Sequence, residues 1–389
     1  MSYTRYVIVG GGMTADAAAR AIEASDPDGS VVLISEENDA PYNRPPLTKG
    51  LWQGKEEYTT SRHTDELHVA LSLGTRATAI DTTARTVSDD HGRTHEYDRL
   101  LLATGGRPRR LPFGGDDVVY YRTLADYRRV RTLAEDGARF VVIGGGFIGS
   151  ELAASLASNG REVSLVFPED GVCARLFPAD LSAFVTEYYR ARGVGVHAGR
   201  TVTAIDAGSV MLDDGTTLTA DAVVAGLGIE PVTDLAESIG LEVRDGIVVD
   251  DRGRVSGAEG VYAAGDVARF PIAALGGDAR VEHEDHANAH GRTVGRNMAG
   301  ADQPYDHLPF FYSDLFDLGY EAVGELTSQS RALAEWVEPF GKGVVAYVDD
   351  ASRPRGFLLW NVWDRVDAAR ELIRAGAPVD SAALLGLMA

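Results

Sequence analysis

Two stretches of the chain share one pattern of apolar and polar positions. The first, YVIVGGGMTADAAARAI, begins at residue 6, and the second, RFVVIGGGFIGSELAASLA, begins at residue 139. In both, an uninterrupted apolar run predicts a buried strand, and the alanine-rich segment beyond the glycines predicts a helix. The repetition indicates two related βαβ units in one chain.

Each repeat continues in the same order after its helix. A second strand ends on an acid, at Glu36 in SVVLISE and at Glu169 in EVSLVFPE. The turns DDHG at 89–92 and DDG at 213–215 then mark an inserted hairpin. The final strands, YDRLLLATGG and ADAVVAGLG, both stop at glycine.

The glycine turns have the residues that a dinucleotide-binding turn needs. Gly10 and Gly144 allow a tight turn from strand to helix, and Gly12 and Gly146 let backbone N–H groups approach a pyrophosphate. Gly149 permits close packing of the helix on the strand. Two such turns, each in its own βαβ unit, predict two dinucleotide sites.

The acids that end the second strands specify the nucleotide further. Glu36 and Glu169 lie a little over 20 residues beyond their turns, where a carboxylate binds a ribose hydroxyl. Glu169 would repel the 2′-phosphate of NADPH, which favours NADH, although nearby Arg175 opposes that preference. Two dinucleotides in one chain suggest hydride transfer from a nicotinamide to a flavin.

Composition removes several other classes of function. A length of 389 residues predicts two or three domains, and a net charge of −21 argues against binding to nucleic acid or anionic membranes. The most apolar stretch is interrupted by glycines and Glu151, so no membrane span is expected. A strand-like segment close to the N-terminus leaves no room for a secretory signal, which favours a cytoplasmic location.

Cysteine and histidine content bears on metal and redox sites. The only cysteine, Cys173, excludes a CxxC pair and a multi-cysteine metal site. The segment HEDHANAH contains His283, His286 and His290 at helical spacing, which permits a metal site. Histidines on a helix surface explain the segment equally simply, and we predict no metal.

Four further motifs, PYNRPPLTK, GGGFIGSE, VYAAGD and VEHEDHA, carry a family resemblance. The chain resembles the FAD/NAD(P)-dependent oxidoreductases of the two-dinucleotide-binding superfamily. Within it, FPEDG, FYSDLFDLGYEAVG and GFLLWN resemble apoptosis-inducing factor, and the branch also contains the oxygenase-coupled ferredoxin reductases.

The resemblance implies an α/β fold with two Rossmann-like domains, for FAD and NAD, plus a C-terminal α+β domain. The FAD domain is expected to be split, with residues 1–110 and 233–300 on either side of an NAD domain at 111–232. Residues 301–389 would form the C-terminal interface or cap domain. FFYSDLF, GVVAYVDD and GFLLWNVW predict strands there, and DRVDAARELIRAG predicts a helix.

The resemblance also implies cofactor contacts, position by position. On the FAD side these are Gly10, Gly11, Gly12, Met13, Thr14, Glu36, Arg44, Lys49, Arg122 and Asp266. On the NAD side they are Gly145, Gly146, Phe147, Ile148, Glu169, Arg175 and Gly228. Positions shared between the cofactors, or lying in the last domain, are Glu282, His283, Tyr312, Glu321 and Asn361.

Lys49 and Glu151 are the predicted catalytic residues. A lysine followed by glycine is often an exposed turn residue. The alternative is a buried Lys49–Glu151 pair beside flavin N5, where the lysine charge would stabilise negative charge that develops on the reduced flavin.

The expected activity is transfer of hydride from NADH to FAD, followed by transfer of electrons to a ferredoxin, a rubredoxin or another one-electron acceptor. One alternative is a redox-responsive protein like apoptosis-inducing factor, with slow NADH oxidase activity and a stable complex of reduced flavin with NAD. A weaker alternative is a monodehydroascorbate-type reductase, and a homodimer is compatible with all three. Residues 1–172 lack cysteine, so disulfide reduction is not expected.

Overall fold

The computed structural model describes residues 3–389, which fall into two compact units. The first unit consists of Met1–Arg44, Glu56–Arg107 and Glu230–Pro309. The second consists of Pro45–Lys55, Pro108–Ile229 and Phe310–Ala389. The finer division at residues 110, 232 and 300 stays a prediction.

We number strands and helices in chain order. Those of the first unit are β1 (Arg5–Val9), α1 (Met13–Ser25), β2 (Ser30–Ile34), β3 (Val69–Ser72), β4 (Ala77–Asp81), β5 (Thr86–Asp89), β6 (Thr94–Glu96), β7 (Arg99–Leu102), α5 (Asp234–Ser238), β18 (Ile247–Val248), β19 (Val261–Ala263), β20 (Ala268–Pro271), β21 (Asp278–Arg280) and α6 (Glu284–Met298). Strands β8 (Gly106–Pro108) and β17 (Ile229–Pro231) lie where the chain passes between units.

The elements of the second unit are β9 (Val118–Tyr120), α2 (Leu124–Glu135), β10 (Phe140–Ile143), α3 (Phe147–Ser158), β11 (Val163–Phe167), α4 (Ala179–Ala191), β12 (Gly195–Ala198), β13 (Val202–Asp206), β14 (Ser209–Leu212), β15 (Thr217–Thr219), β16 (Ala222–Ala225), β22 (Phe310–Leu315), β23 (Leu318–Gly324), β24 (Arg331–Glu338), β25 (Lys342–Val348), β26 (Pro354–Trp360), α7 (Val366–Ala375) and α8 (Ser381–Met388).

The first unit is built on a parallel five-stranded sheet in the order β19-β7-β1-β2-β3. Alternate residues of β1 face opposite sides, with Tyr6 and Ile8 in one buried cluster and Val7 in another. Helices α1 and α6 pack closely, since a Cβ on Gly291 would lie 2.4 Å from the Thr14 carbonyl oxygen. Glycine at this position therefore permits the close helix contact.

The second unit contains a parallel sheet of matching order, β12-β11-β10-β16-β9. The predicted hairpins are confirmed, each as part of a three-stranded antiparallel sheet, β4-β5-β6 in the first unit and β13-β14-β15 in the second. The duplicated pattern in the sequence thus corresponds to a duplicated architecture, and the predicted α/β fold is confirmed.

The C-terminal segment forms an antiparallel sheet in the order β22-β23-β26-β25-β24. Strand β26 lies at its centre, and its residues Phe357–Trp360 are fully buried. Helix α7 contacts β23 and β26, and α8 contacts β24 and β25. The three predicted strands and the predicted helix are confirmed, and the structure adds β23, β24 and α8. No helix within residues 3–389 combines the length and hydropathy needed to cross a membrane.

Candidate functional site

The first glycine turn connects β1 to α1. Gly10 has a φ of +126°, and a Cβ there would lie 2.1 Å from the carbonyl oxygen of Ala103, so only glycine fits. Gly12 caps α1 without any side-chain hydrogen bond, and a Cβ there would meet nothing within 4 Å. The chain at Gly12 therefore leaves room for a ligand at the start of α1, which suits a pyrophosphate.

The second glycine turn has the same construction between β10 and α3. Gly144 has a φ of +116°, and a Cβ on it would lie 2.4 Å from the Gly226 carbonyl oxygen. Gly146 caps α3 without a side-chain hydrogen bond. A Cβ on Gly149 would lie 1.8 Å from the Gly144 carbonyl oxygen, so the close packing predicted for Gly149 is present. Both turns fit the phosphates of a dinucleotide.

The two acids follow the second strand of each parallel sheet. Glu36 is exposed two residues after β2, and Glu169 is partly buried two residues after β11. Glu169 forms an ion pair with Arg175 at 2.5 Å, while Arg175 remains 84% exposed. Glu169 and Arg175, which were predicted to have opposite effects on the preference for NADH, are therefore in direct contact. The effect of this ion pair on nucleotide choice stays a prediction.

The segment before Lys49 is held by hydrogen bonds to one carbonyl. Residues Pro45–Thr48 form a short 3-10 turn, and the carbonyl oxygen of Leu47 accepts from Trp52 Nε1 at 2.8 Å and from Tyr121 Oη at 2.5 Å. Both donors belong to the second unit, as does the turn. These hydrogen bonds hold the turn in place and so fix the backbone position of Lys49, which follows it.

Lys49 is partly buried and paired with Glu151. Its Nζ lies 2.6 Å from Glu151 Oε2, and the side chains are 12% and 4% exposed. The reading of Lys49 as a solvent-exposed turn residue is therefore wrong. The Nζ also lies 5.2 Å from the centre of the Tyr312 ring, within cation–π range. The predicted Lys49–Glu151 pair is therefore present, and its part in catalysis stays a prediction.

Two hydroxyl groups complete the surroundings of Glu151. Thr48 Oγ1 donates to Glu151 Oε2 at 2.5 Å, and Ser313 Oγ donates to Glu151 Oε1 at 2.6 Å. Sequence reasoning did not identify either residue. Each adjoins a candidate, Lys49 or Tyr312, but 103 and 162 residues separate the hydroxyls from Glu151, so no local pattern could pair them.

Two acids on the C-terminal strands are affected by burial. Tyr312 and Glu321 are direct partners in the β22–β23 pairing. Glu321 Oε2 is buried and has no hydrogen-bond partner among residues 3–389, and burial raises the pKa of Glu321. Burial also raises the pKa of Asp314. An orphaned carboxylate oxygen is what a polar ligand group would satisfy.

The remaining candidates of the second unit have structural contacts of their own. Asn361 accepts from the Gly319 N–H at 2.8 Å and donates to the Gly341 carbonyl at 2.6 Å. Arg122 donates its backbone N–H to Asp126 at 3.0 Å. Gly228 accepts from the backbone N–H of Arg109 at 3.0 Å. These contacts hold the backbone at three predicted cofactor positions.

Candidates of the first unit lie beyond the ends of its strands or at a helix start. Arg44 pairs with Glu37 at 2.5 Å, and Asp266 lies in a 3-10 turn just after β19. His283 is the N-cap residue of α6. Burial lowers the pKa of His283 to about 4 against the opposing effect of Asp266. Glu282 pairs with Arg280 at 2.6 Å.

His286 and His290 are not on the surface of their helix. Both rings are fully buried, with His286 stacked on Phe270 at a centroid distance of 4.6 Å and His290 stacked on Tyr305 at 4.5 Å. The surface explanation is wrong for these two residues, because α6 turns them toward the core. Within residues 3–389 no group of three or more potential ligands is placed to hold a metal.

Cys173 is buried 3.9 Å from Ser150 Oγ. Burial raises the pKa of its thiol to about 12, so the thiol is protonated at neutral pH. A protonated, inaccessible thiol is a poor nucleophile.

Comparison with known proteins identifies two matching family models. Residues 4–291 match the model of pyridine nucleotide-disulphide oxidoreductases. Residues 294–339 match the C-terminal model of the mitochondrion-associated apoptosis-inducing factors.

Three curated relatives illustrate the similarity. Apoptosis-inducing factor 1 of Dictyostelium discoideum is 35% identical over 95% of this chain and 78% of its own length. Monodehydroascorbate reductase 4 of Arabidopsis thaliana is 36% identical over 88% of this chain and 76% of its own. The ferredoxin–NAD(+) reductase component of the Burkholderia cepacia anthranilate 1,2-dioxygenase system is 34% identical over 98% and 96%.

Two solved structures share the fold along nearly the whole chain. Putidaredoxin reductase, in its covalent complex with putidaredoxin, has a TM-score of 0.92 and 30% identity, covering 99% of this chain and 96% of that one. A ferredoxin reductase from Rhodopseudomonas palustris has a TM-score of 0.90 and 29% identity, covering 99% and 100%.

The glycine turns fit FAD and a nicotinamide dinucleotide, and the predicted resemblance is confirmed. The chain belongs to the pyridine nucleotide-disulphide oxidoreductase family as a flavoprotein oxidoreductase, similar to the ferredoxin reductases and to apoptosis-inducing factor.

Proposed function

We propose that this chain oxidises NADH and passes the electrons singly to a ferredoxin-type iron–sulfur protein or a rubredoxin. The observation that carries the proposal is the Lys49–Glu151 ion pair at 2.6 Å, in which Glu151 is buried on the helix that follows the second glycine turn and Lys49 is partly buried. FAD, when bound, supplies an acceptor for hydride and a donor of electrons. Lys49 contributes a fixed positive charge that stabilises developing negative charge.

In this proposal each glycine turn holds one dinucleotide. The first turn, Glu36, Arg44 and Asp266 bind FAD, while the second turn, Glu169, Arg175 and Gly228 bind NADH. Glu282 and His283 are shared by the cofactors, and Tyr312, Glu321 and Asn361 in the last domain make further cofactor contacts. The orphaned oxygen of Glu321 supports this assignment, since it needs a donor that the described residues do not supply.

Cysteine content and the extent of the matches support the proposed acceptor. Residues 1–172 contain no cysteine, so no dithiol near the PYNRPPLTK segment can receive electrons. This argues against a disulfide acceptor. The ferredoxin reductases are matched over 96% and 100% of their own lengths, whereas the Dictyostelium relative is matched over 78%, which supports an acceptor of the ferredoxin type.

The C-terminal match to apoptosis-inducing factors favours one alternative. In that case the chain oxidises NADH slowly, keeps oxidised nicotinamide bound after reduction, and changes its association, for example between monomer and homodimer. A monodehydroascorbate-type activity is a third candidate because of the similarity to the Arabidopsis reductase.

Anaerobic titration of the holoprotein with NADH, followed by a [2Fe–2S] ferredoxin, a rubredoxin, monodehydroascorbate or oxygen, separates these functions. Rapid reoxidation by the ferredoxin or the rubredoxin is the expected result. A persistent long-wavelength absorbance band, slow reoxidation by every acceptor and a change in oligomeric size would instead favour the redox-responsive alternative.

The preference for NADH has its own test. Glu169→Gln removes the charge that opposes a 2′-phosphate and leaves Arg175 without its partner, so the ratio of kcat/KM for NADPH to that for NADH is expected to rise about tenfold or more. Glu162→Gln is the matched control, because Glu162 is exposed and lies immediately before β11, the strand that precedes Glu169. An unchanged ratio in Glu169→Gln would show that Glu169 does not select the coenzyme.

A further inference from the structure

Both oxygens of the Glu151 carboxylate are occupied by donors from different parts of the second unit. Oε2 accepts from Thr48 Oγ1 at 2.5 Å and from Lys49 Nζ at 2.6 Å. Oε1 accepts from Ser313 Oγ at 2.6 Å. Glu151, Thr48 and Ser313 are 3%, 4% and 0% exposed, so water competes little for these bonds.

Each hydroxyl has one hydrogen to donate, and its direction can be assigned. Thr48 Oγ1 lies 2.5 Å from Glu151 Oε2 but 3.4 Å from the Pro45 carbonyl oxygen. The hydroxyl therefore donates its hydrogen to the carboxylate, which is the nearer acceptor. Ser313 is the only donor to Oε1 among residues 3–389. Thr48 belongs to the turn that precedes Lys49, whereas Ser313 belongs to β22 of the C-terminal sheet.

We infer that Thr48 and Ser313 are positioning residues for NADH oxidation, which together hold the Glu151 carboxylate in one orientation, with Oε2 toward Lys49. The inference rests on the proposed function. Hydrogen bonds from hydroxyls on two separate elements restrict the rotation of a buried carboxylate more than the ion pair alone does. With both hydroxyls in place, Glu151 stays within hydrogen-bonding distance of Lys49. Ser313 thereby links the position of Lys49 to a strand of the C-terminal sheet.

The other titratable groups around Glu151 leave this arrangement intact near neutral pH. Burial raises the pKa of Cys173 to about 12 and raises the pKa values of Tyr189 and Tyr320 well above their ordinary value, so all three are neutral. Asp314 is the remaining acid, and burial raises its pKa while Lys49 lowers it.

The test is the NADH dependence of flavin reduction, measured by anaerobic stopped flow on the holoprotein, which gives the limiting rate and the Kd for NADH separately. Ser313→Ala and Thr48→Ala should each lower the limiting rate about tenfold and leave the Kd for NADH near the wild-type value, because each removes a hydrogen bond that orients the carboxylate. Thr48→Ser retains the hydroxyl and should restore the wild-type limiting rate.

Controls separate positioning from folding. Ser182→Ala removes another buried hydroxyl of the second unit, which donates to the Val172 carbonyl oxygen at 2.8 Å, and should lower stability without lowering the limiting rate. Bound FAD is measured for each variant. If Ser313→Ala does not retain FAD, the Thr48→Ala and Thr48→Ser pair decides the outcome.

Lys49→Ala, measured alongside, distinguishes the two levels of the proposal. If it reduces as fast as the wild type, the proposed role of Lys49 fails. If it is slow while Ser313→Ala and Thr48→Ala keep the wild-type limiting rate, the positioning role is refuted and the proposed function stands.

Discussion

Removing an ammonium group from water costs free energy, so the partners of Lys49 determine whether its charge can be held in place. Its side chain is 12% exposed and its Nζ lies 2.6 Å from Glu151, which offsets the cost of removing the charge from water. The Tyr312 ring adds a cation–π contact at 5.2 Å. At the scale of single residues, the structure therefore keeps one positive charge in a fixed and largely dry position.

Replacing that charge tests its contribution. Lys49→Ala is expected to slow flavin reduction by NADH on the order of 100-fold, the effect typical of losing one preorganised electrostatic group. Stopped-flow measurement of the limiting rate is the readout, and Lys55→Ala, which removes an exposed lysine from the same segment, is the matched control. Equal loss of rate in both variants would contradict a specific role for Lys49.

At the scale of elements, the second glycine turn and α3 depend on a contact that excludes any side chain. A Cβ on Gly149 would approach the Gly144 carbonyl oxygen to 1.8 Å, so the helix must shift away from β10 to accept it. Such a shift would move the N-terminus of α3 and also Glu151, which lies in its second turn. Packing of this element thus supports both nucleotide binding and the ion pair.

Gly149→Ala is expected to lower the free energy of unfolding by about 1–3 kcal/mol and to weaken NADH binding, as overpacking does. The opposite sign is expected for Gly386→Ala in α8, where a Cβ meets nothing within 4 Å and alanine favours the helix by about 0.5–1 kcal/mol. Chemical unfolding of the two holoproteins compares them directly. A neutral or stabilising Gly149→Ala would contradict the observed close packing.

The buried histidines of helix α6 make the stability of the protein depend on pH. Burial lowers the pKa of His286 to about 3 and lowers that of His290 well below its ordinary value. In the unfolded chain both rings protonate near pH 6.5, so the unfolded state binds more protons below that pH. The free energy of unfolding therefore falls as the pH falls below about 6.5 and is unaffected by these groups above it.

His290→Gln removes one of these groups and should flatten the pH dependence of stability by up to about 1.4 kcal/mol per pH unit between pH 4 and 6. Chemical unfolding at several pH values is the measurement. Val337→Gln, at a residue that is 65% exposed and has no titratable group, is the control and should keep the wild-type slope. Parallel slopes for wild type and His290→Gln would show that His290 is not held neutral.

At the scale of the whole molecule, the described residues contain two cofactor-binding turns, one in each compact unit. A ligand that binds only the folded state stabilises it according to its concentration and affinity. Removal of FAD is therefore expected to lower the Tm, with recovery of about 2.7 kcal/mol when free FAD reaches 100 times its Kd. FMN lacks the adenosine that Glu36 would bind and should restore less. Equal recovery with FMN would contradict the role of Glu36.

The sequence by itself determined the repeated architecture, because strand, glycine turn, helix and acid follow one another within about thirty residues and obey local rules of periodicity and turn geometry. It also indicated the Lys49–Glu151 contact, through motifs that a family resemblance supplied. Neither source revealed that His286 and His290 face the core, since helical spacing fixes which residues share a face but not what packs against that face.

Only the tertiary structure decided how Glu151 is held. Its partners Thr48 and Ser313 are 103 and 162 residues away, on a short turn and on a strand of the C-terminal sheet. No periodic pattern of hydroxyl residues in the sequence links them to a distant carboxylate. Likewise, Glu169 and Arg175 were near in sequence, but their ion pair depends on how the chain after β11 turns back. Local patterns specify elements, whereas the direction of a side chain depends on all the elements that pack around it.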